Sequence, residues 1–288
     1  VGRANIDALP QQTLMELLVS HLADQSSFKN RDGYTDISTW PGVDLDDKRQ
    51  VVSIDWTEEI TFGFIMDSEG EDFFDHEEVN SSVEPGGSID LQFLPSTVRD
   101  FAAAELELKG SVDTEALPRE MRELQISDNM FDGSFSTAGL PRTLRNVDIS
   151  GNRFHGVLLL DKLPHTLEKF IVKCNNFSGD LDFTSLPQML HEIDISENSF
   201  SGVIDLSCLP RSIGTLSLEN NSFTSSKIQV NLTDLQKLQV VKIDTNACSK
   251  LCSTDGSVIE WEDQGGVIRY QHYHTSESED DMGCSLGL

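Results

Sequence analysis

The chain has 288 residues and carries 49 Asp and Glu against 21 Lys and Arg, a formal net charge of −28. A chain this acidic is repelled by nucleic acid and anionic membranes and is attracted to basic protein surfaces. No stretch approaches the ~20 apolar residues of a transmembrane helix, and the length is ample for a stable apolar core without cysteine cross-links.

The first residue is Val. A removed targeting peptide would explain this, so secreted, organellar and cytosolic locations all stay open. Residues 1–50 read as an N-terminal helical cap. Thr13 and Glu16 fit a capping box, and Leu14, Leu17, Leu18 and Leu22 form one apolar helical stripe. Trp40, Pro41, Gly42 and Val43 follow, and then a strand from Val51 to Trp56. Residues 58–84 hold ten acidic side chains and no Lys or Arg, which reads as an acidic insertion and a candidate docking element for a basic partner. Gly63 lies 24 residues before Gly87, so one degenerate turn of the repeat described next is expected between them.

From there the sequence is periodic. Proline falls at 95, 118, 141, 164, 187 and 210, a strict spacing of 23, each time after leucine. Glycine keeps the same spacing from Gly87 to Gly202. The unit carries an apolar-x-apolar step of period 2, then Ser-x-Asn-x-Phe-x-Gly, as in Ile193, Asp194, Ile195, Ser196, Glu197, Asn198, Ser199 and Phe200. A fixed period of 20–29 residues is the mark of a solenoid whose turns stack one short strand each into a parallel sheet. Asn129, Asn152, Asn175, Asn198 and Asn221 predict a ladder of side chains bonded to backbone at the bend, because a buried amide needs partners. Phe131, Phe154, Phe177, Phe200 and Phe223 predict a stacked spine in the core. The recurring glycine predicts a bend with positive φ, and Leu-Pro ends the segment on the convex side.

These residues resemble leucine-rich repeat proteins, and most of all the plant-type subclass. Here the turn reads N-x-F-x-G-x-I-D, as in Gly202, Val203, Ile204 and Asp205, with proline displaced to the later Leu-Pro. The variant is associated with repeat proteins of protists and algae as much as with plants. The resemblance covers roughly residues 87–246. It implies an α/β-type repeat solenoid: a curved horseshoe, a parallel β-sheet on its concave face, and caps at both ends. The helix and W-x-G-V of the front look like the N-terminal cap of that family. The family's usual cysteine pair is absent, since no cysteine precedes Cys174.

Residues 51–246 are expected to form eight to nine turns. At the rear, residues 238–246 give a last strand, and residues 247–274 read as a C-terminal cap with strands at 258–261 and 267–270 around Gly265 and Gly266. Residues 275–288 read as a flexible acidic tail. The five cysteines, odd in number and without a cap pair, argue against a disulfide framework, and a Cys248–Cys252 pair in the rear cap is the lesser alternative. Sequons stand at Asn80, Asn176, Asn220 and Asn231.

In each strand the residues between the apolar ones face the concave side. That face is mostly small and acidic, with Asp148 and Ser150 echoed by Asp194 and Ser196. One strand differs: Lys169 and Lys173 flank Ile171. Two readings stand side by side. The lysines bridge carboxylates of adjacent strands such as Glu192, or Ile171 is an apolar anchor within an acidic rim. The candidate partner-binding residues are therefore Asp148, Ser150, Lys169, Ile171, Lys173, Glu192, Asp194 and Ser196.

No Gly-rich phosphate loop, G-x-S-x-G, H-E-x-x-H or zinc-ribbon spacing occurs. His272 and His274 read as surface histidines, and two cysteines alone are an incomplete metal site. No cofactor and no metal are expected. The function expected is a non-catalytic protein–protein interaction module or scaffold, a peripheral subunit of a larger assembly. The resemblance suggests an alternative, a secreted or surface protein that recognises peptide or glycan. A third reading is an enzyme or enzyme inhibitor using the concave carboxylates.

Overall fold

A computed structural model describes residue 6 and residues 8–57, 83–225, 228–230, 238, 240–244, 251–253, 262–263 and 267–271. The acidic insertion at 58–82, Cys248, Asn246, Asn80, Asn231, the two rear histidines and the tail lie outside the described residues.

Helix α1 (Gln11–Val19) is the first element whose bounds lie among the described residues, followed by a small hairpin of β1 (Lys29–Asn30) and β2 (Gly33–Tyr34). The capping box expected at Thr13 does not form. The helix starts two residues earlier, behind Pro10, whose fixed φ suits a helix start. Glu16 instead accepts from Gln12 Nε2 at 2.9 Å. The buried stripe is Leu14, Met15, Leu18, Val19 and Leu22, with Leu17 turned partly to solvent. Gln11 and Gln12 then clamp the helix to the cap. Gln11 Oε1 accepts from the Val51 N–H and Gln12 Oε1 from the Ile37 N–H, both at 3.0 Å. Beneath them Phe28 packs at 4.8 Å from Trp40 and 5.6 Å from Trp56, and Trp56 meets Phe101 edge-on at 6.0 Å. An aromatic wedge thus covers the end of the stack.

The main sheet has eleven strands. Eight run parallel in chain order: β4 (Val51–Asp55), β5 (Asp100–Ala102), β7 (Glu123–Gln125), β9 (Asn146–Asp148), β11 (Lys169–Ile171), β13 (Glu192–Asp194), β15 (Thr215–Ser217) and β17 (Val240–Asp244). The six from β5 to β15 keep the strict 23-residue spacing. Antiparallel partners close both ends: β3 (Val43–Leu45) on β4, and β20 (Val267–Gln271) on β17. β20 also pairs with β19 (Glu262–Asp263), and the strand expected at 258–261 lies outside the described residues. β4 pairs directly with β5, so no strand lies between them, and most of the turn expected between Gly63 and Gly87 lies outside the described residues.

A second, narrower sheet runs along the flank where each turn bends away: β6 (Lys109–Gly110), β8 (Met130–Ser134), β10 (Arg153–Gly156), β12 (Asn176–Asp180) and β14 (Ser199–Ser201). Behind it β16 (Ile228–Val230) pairs with β18 (Leu251–Ser253). Between the two sheets lies one apolar core. The phenylalanines stack at 6.2–6.5 Å with ring planes 8–15° apart, from Phe131 through Phe223. The repeat glycines from Gly87 to Gly202 all have positive φ.

Each asparagine side chain ties its own turn to the preceding one. Asn175 Nδ2 donates to the carbonyls of Ile149, Val172 and Lys173, and its Oδ1 accepts from the Phe154 N–H at 3.0 Å. A second ladder was not foreseen. Hydroxyls two residues after the proline donate to carbonyls of the preceding turn, Thr143 to Met121 and Thr166 to Leu144, each at 2.7 Å. Serine and threonine are too common for this column to stand out in the sequence.

Candidate binding face

The alternation of the strands fixes the concave face. Leu124, Val147, Phe170, Ile193 and Leu216 point into the core and are fully buried. The residues between them point outward and are crowded by their counterparts on the next strand. β11 is the centre of the sequence-predicted site. In register, Lys169 lies between Asn146 and Glu192, and Ile171 lies between Asp148 and Asp194.

Both lysines are already partnered. Lys169 Nζ lies 3.3 Å from Glu192 and Lys173 Nζ lies 3.1 Å from Glu197. The hydrogen bond that Lys173 donates to Glu197, reinforced by the fields of Glu197, Asp194 and Glu219, raises the Lys173 pKa above its ordinary value against the opposing effect of burial. The cross-strand bridging expected of these lysines is therefore present. Ile171 departs from the expectation of an exposed anchor: it is only 8% accessible. The close spacing of parallel strands leaves a mid-strand side chain little surface between two neighbours.

The Asp-x-Ser pairs are local. Asp148 Oδ1 accepts from both the N–H and the hydroxyl of Ser150, at 3.0 and 2.6 Å. Asp194 does the same for Ser196, which is itself buried. Each carboxylate thus spends one oxygen on its own turn and presents the other to the face.

Farther along, Glu219 sits beside Lys242 at 3.9 Å and is mostly covered. Burial raises its pKa above the ordinary carboxylate value, outweighing the nearby lysine. Its Oε2 and the hydroxyl of Ser217 are buried without a hydrogen-bond partner among the described residues. The sequence placed both on this face but gave no sign of their burial.

Across the face from β4 to β17, Asp55, Asp100, Glu123, Asp148, Glu192, Asp194, Glu219 and Asp244 outnumber Lys169, Lys173 and Lys242. The surface is thus acidic, rigid and open. Among the described residues no group of three metal-ligating side chains converges, and no helix is long and apolar enough to cross a membrane.

No family model and no curated protein matches the sequence. Solved structures do. The leucine-rich repeat ectodomain of the plant membrane receptor kinase GASSHO1/SCHENGEN3 from Arabidopsis thaliana, in complex with CASPARIAN STRIP INTEGRITY FACTOR 2, superposes with a TM-score of 0.51 at 17% identity, covering 84% of this chain and 33% of that one. The plant peptide hormone receptor RGFR1 in complex with RGF2 aligns at 24% identity and a TM-score of 0.42, over 56% of this chain and 29% of that one. This chain therefore spans about a third of the length of these ectodomains or less. The fold is that of a leucine-rich repeat solenoid of the plant type, with 23-residue turns.

Proposed function

We propose that this solenoid is a non-catalytic protein-recognition module, and that its concave face receives a partner with a basic surface. One observation carries the reading: the strands from β5 to β15 stand in unbroken register and hold a net-acidic bank of side chains in fixed positions. A preorganised surface loses little ordering entropy on binding. The excess carboxylates steer a cationic patch toward it. The candidate contact set is Asp148, Ser150, Lys169, Lys173, Glu192, Asp194 and Ser196, with Ile171 contributing packing beneath them.

The finer reading is a scaffold or peripheral subunit of a larger assembly. Native capture from the source, followed by intact mass, tests it. A partner recovered in fixed stoichiometry with an unmodified chain supports the subunit. A free monomer carrying glycan at exposed Asn176 or Asn220 points instead to a surface recognition protein for peptide or glycan. Turnover abolished by one concave Asp→Asn change in a folded protein would establish an enzyme and end the proposal.

A further inference from the structure

We infer that a second interaction surface, of opposite sign, lies along the edge where the chain enters the concave strands, and that it receives a short Asp/Glu-rich peptide segment of a partner protein. The residues four places after successive prolines are Arg99, Arg122 and Arg145. Their backbones stack directly: the Arg122 N–H donates to the Arg99 carbonyl at 2.6 Å and the Arg145 N–H to the Arg122 carbonyl at 2.8 Å. One place after the prolines stand Arg119 and Arg142 on the same edge, joined through Thr143, whose hydroxyl donates to the Arg119 carbonyl at 2.9 Å. All five side chains are exposed. Three consecutive turns of a chain with net charge −28 thus gather five of its 21 cations in one strip.

The strip is not explained by internal pairing. Arg145 is matched by Glu168 at 3.0 Å. Arg119 and Arg142 donate to carbonyls of their own and the following turn. Arg99 and Arg122 have no ion pair among the described residues, although Glu120 lies in the same segment. Like charges on adjacent turns are destabilising, and among the described residues only Arg145 of the three stacked arginines is offset by an ion pair.

The geometry selects the occupant. Adjacent rungs lie ~4.8 Å apart, so three guanidinium groups fall within about 10 Å. Guanidinium forks match carboxylates in bidentate fashion. A long polyanion or an anionic membrane extends past the ~10 Å screening length and meets the acidic body of the molecule. A short acidic peptide contacts the strip alone.

The experiment is fluorescence anisotropy of a labelled deca-glutamate peptide against the full chain at low and high salt. The comparison variants are Arg99→Glu with Arg122→Glu, and Lys109→Glu with Arg153→Glu as a control of equal charge change on the flank sheet. The strip variant should lose at least tenfold in affinity while the control stays within about twofold, both melting like the wild type; high salt should release the peptide. Equal loss in both variants, or no binding by the wild type, overturns the proposal. A labelled single-stranded DNA decamer that binds more tightly than the peptide overturns the choice of partner. The concave-face proposal is untouched by either result, since it concerns another face and a partner of opposite charge.

Discussion

Asn152 joins its own turn to the one before it: its Nδ2 donates to the Ile126 carbonyl at 2.8 Å. Its Oδ1 accepts from the Phe131 N–H at 3.0 Å, so both ends of one amide are spent on a neighbouring rung. Asn152→Ala orphans buried groups on two turns, each costing about 1–3 kcal/mol. The variant should lose at least about 3 kcal/mol in urea unfolding. A loss below about 1 kcal/mol would mean that water replaces the side chain.

Phe154 is sandwiched at 6.2 Å by Phe131 and at 6.5 Å by Phe177, and is fully buried. Phe154→Ala should destabilise by about 3–5 kcal/mol through lost burial and a cavity. Phe223, at the end of the stack and 6% accessible, should cost less for the same change. Equal values at the two sites would argue that the spine has no end effect.

Residue 151 precedes a ladder asparagine and has φ +61°, as do Asp128, Cys174, Glu197 and Asn220 at φ 53–57° in the other turns. Only at 151 does glycine occupy the left-handed position. Gly151→Ala should cost about 1 kcal/mol, and its new methyl would press on the Asp128 carboxylate. A stabilised variant would contradict the strain. Equilibrium unfolding resolves the difference.

Burial raises the pKa of Glu219 in the folded state. A carboxyl with a raised folded value stabilises the fold in acid, and that contribution is lost as the pH rises through the folded value. Glu219→Gln should therefore melt higher than the wild type near neutrality, with the gain fading as the pH falls into the range where the wild-type group is protonated. A gain that persists unchanged in acid, or a loss at neutrality, contradicts the assignment. Thermal melts across the acid range provide the check.

The lysines of β11 and the isoleucine between them are expected to separate binding from folding. Lys169→Ala with Lys173→Ala removes two half-exposed ion pairs, each worth about 0–1 kcal/mol. That variant should keep most of its stability and, with Glu192 and Glu197 released, capture a basic concave-face partner at least as tightly as the wild type. Ile171→Asp instead inserts a buried charge between Asp148 and Asp194 and should unfold the chain at lower denaturant. Capture lost by the lysine variant would contradict a basic partner on this face, and capture unchanged in affinity would move the contact elsewhere.

The architecture was legible because several positions recur together. Leu-Pro, Asn, Phe and Gly each repeat at one spacing, and each has a distinct physical job in the turn. The position before the asparagine escaped notice, because Asp128, Cys174, Glu197 and Asn220 fill the left-handed site in the other turns and glycine marks it only at 151. The accessibility of Ile171 was also out of reach. Alternation along a strand tells which side a residue faces, whereas crowding depends on the two strands beside it. The arginine strip was visible as letters but not as a surface, since only stacked backbones bring positions 99, 122 and 145 together.

Direct pairing of β4 with β5 has an evolutionary consequence. The Trp56 N–H donates to the Ala102 carbonyl at 2.8 Å and the Gly86 N–H to the Leu106 carbonyl at 2.7 Å, so the chain is anchored on both sides of the stretch between them. Between fixed anchors the entropy of a connection grows only with the logarithm of its length, by about 0.6 kcal/mol per doubling. A change in the length of that stretch is therefore expected to leave the rungs on either side in place, which makes it a natural splice point where new sequences can be tried on an unchanged frame.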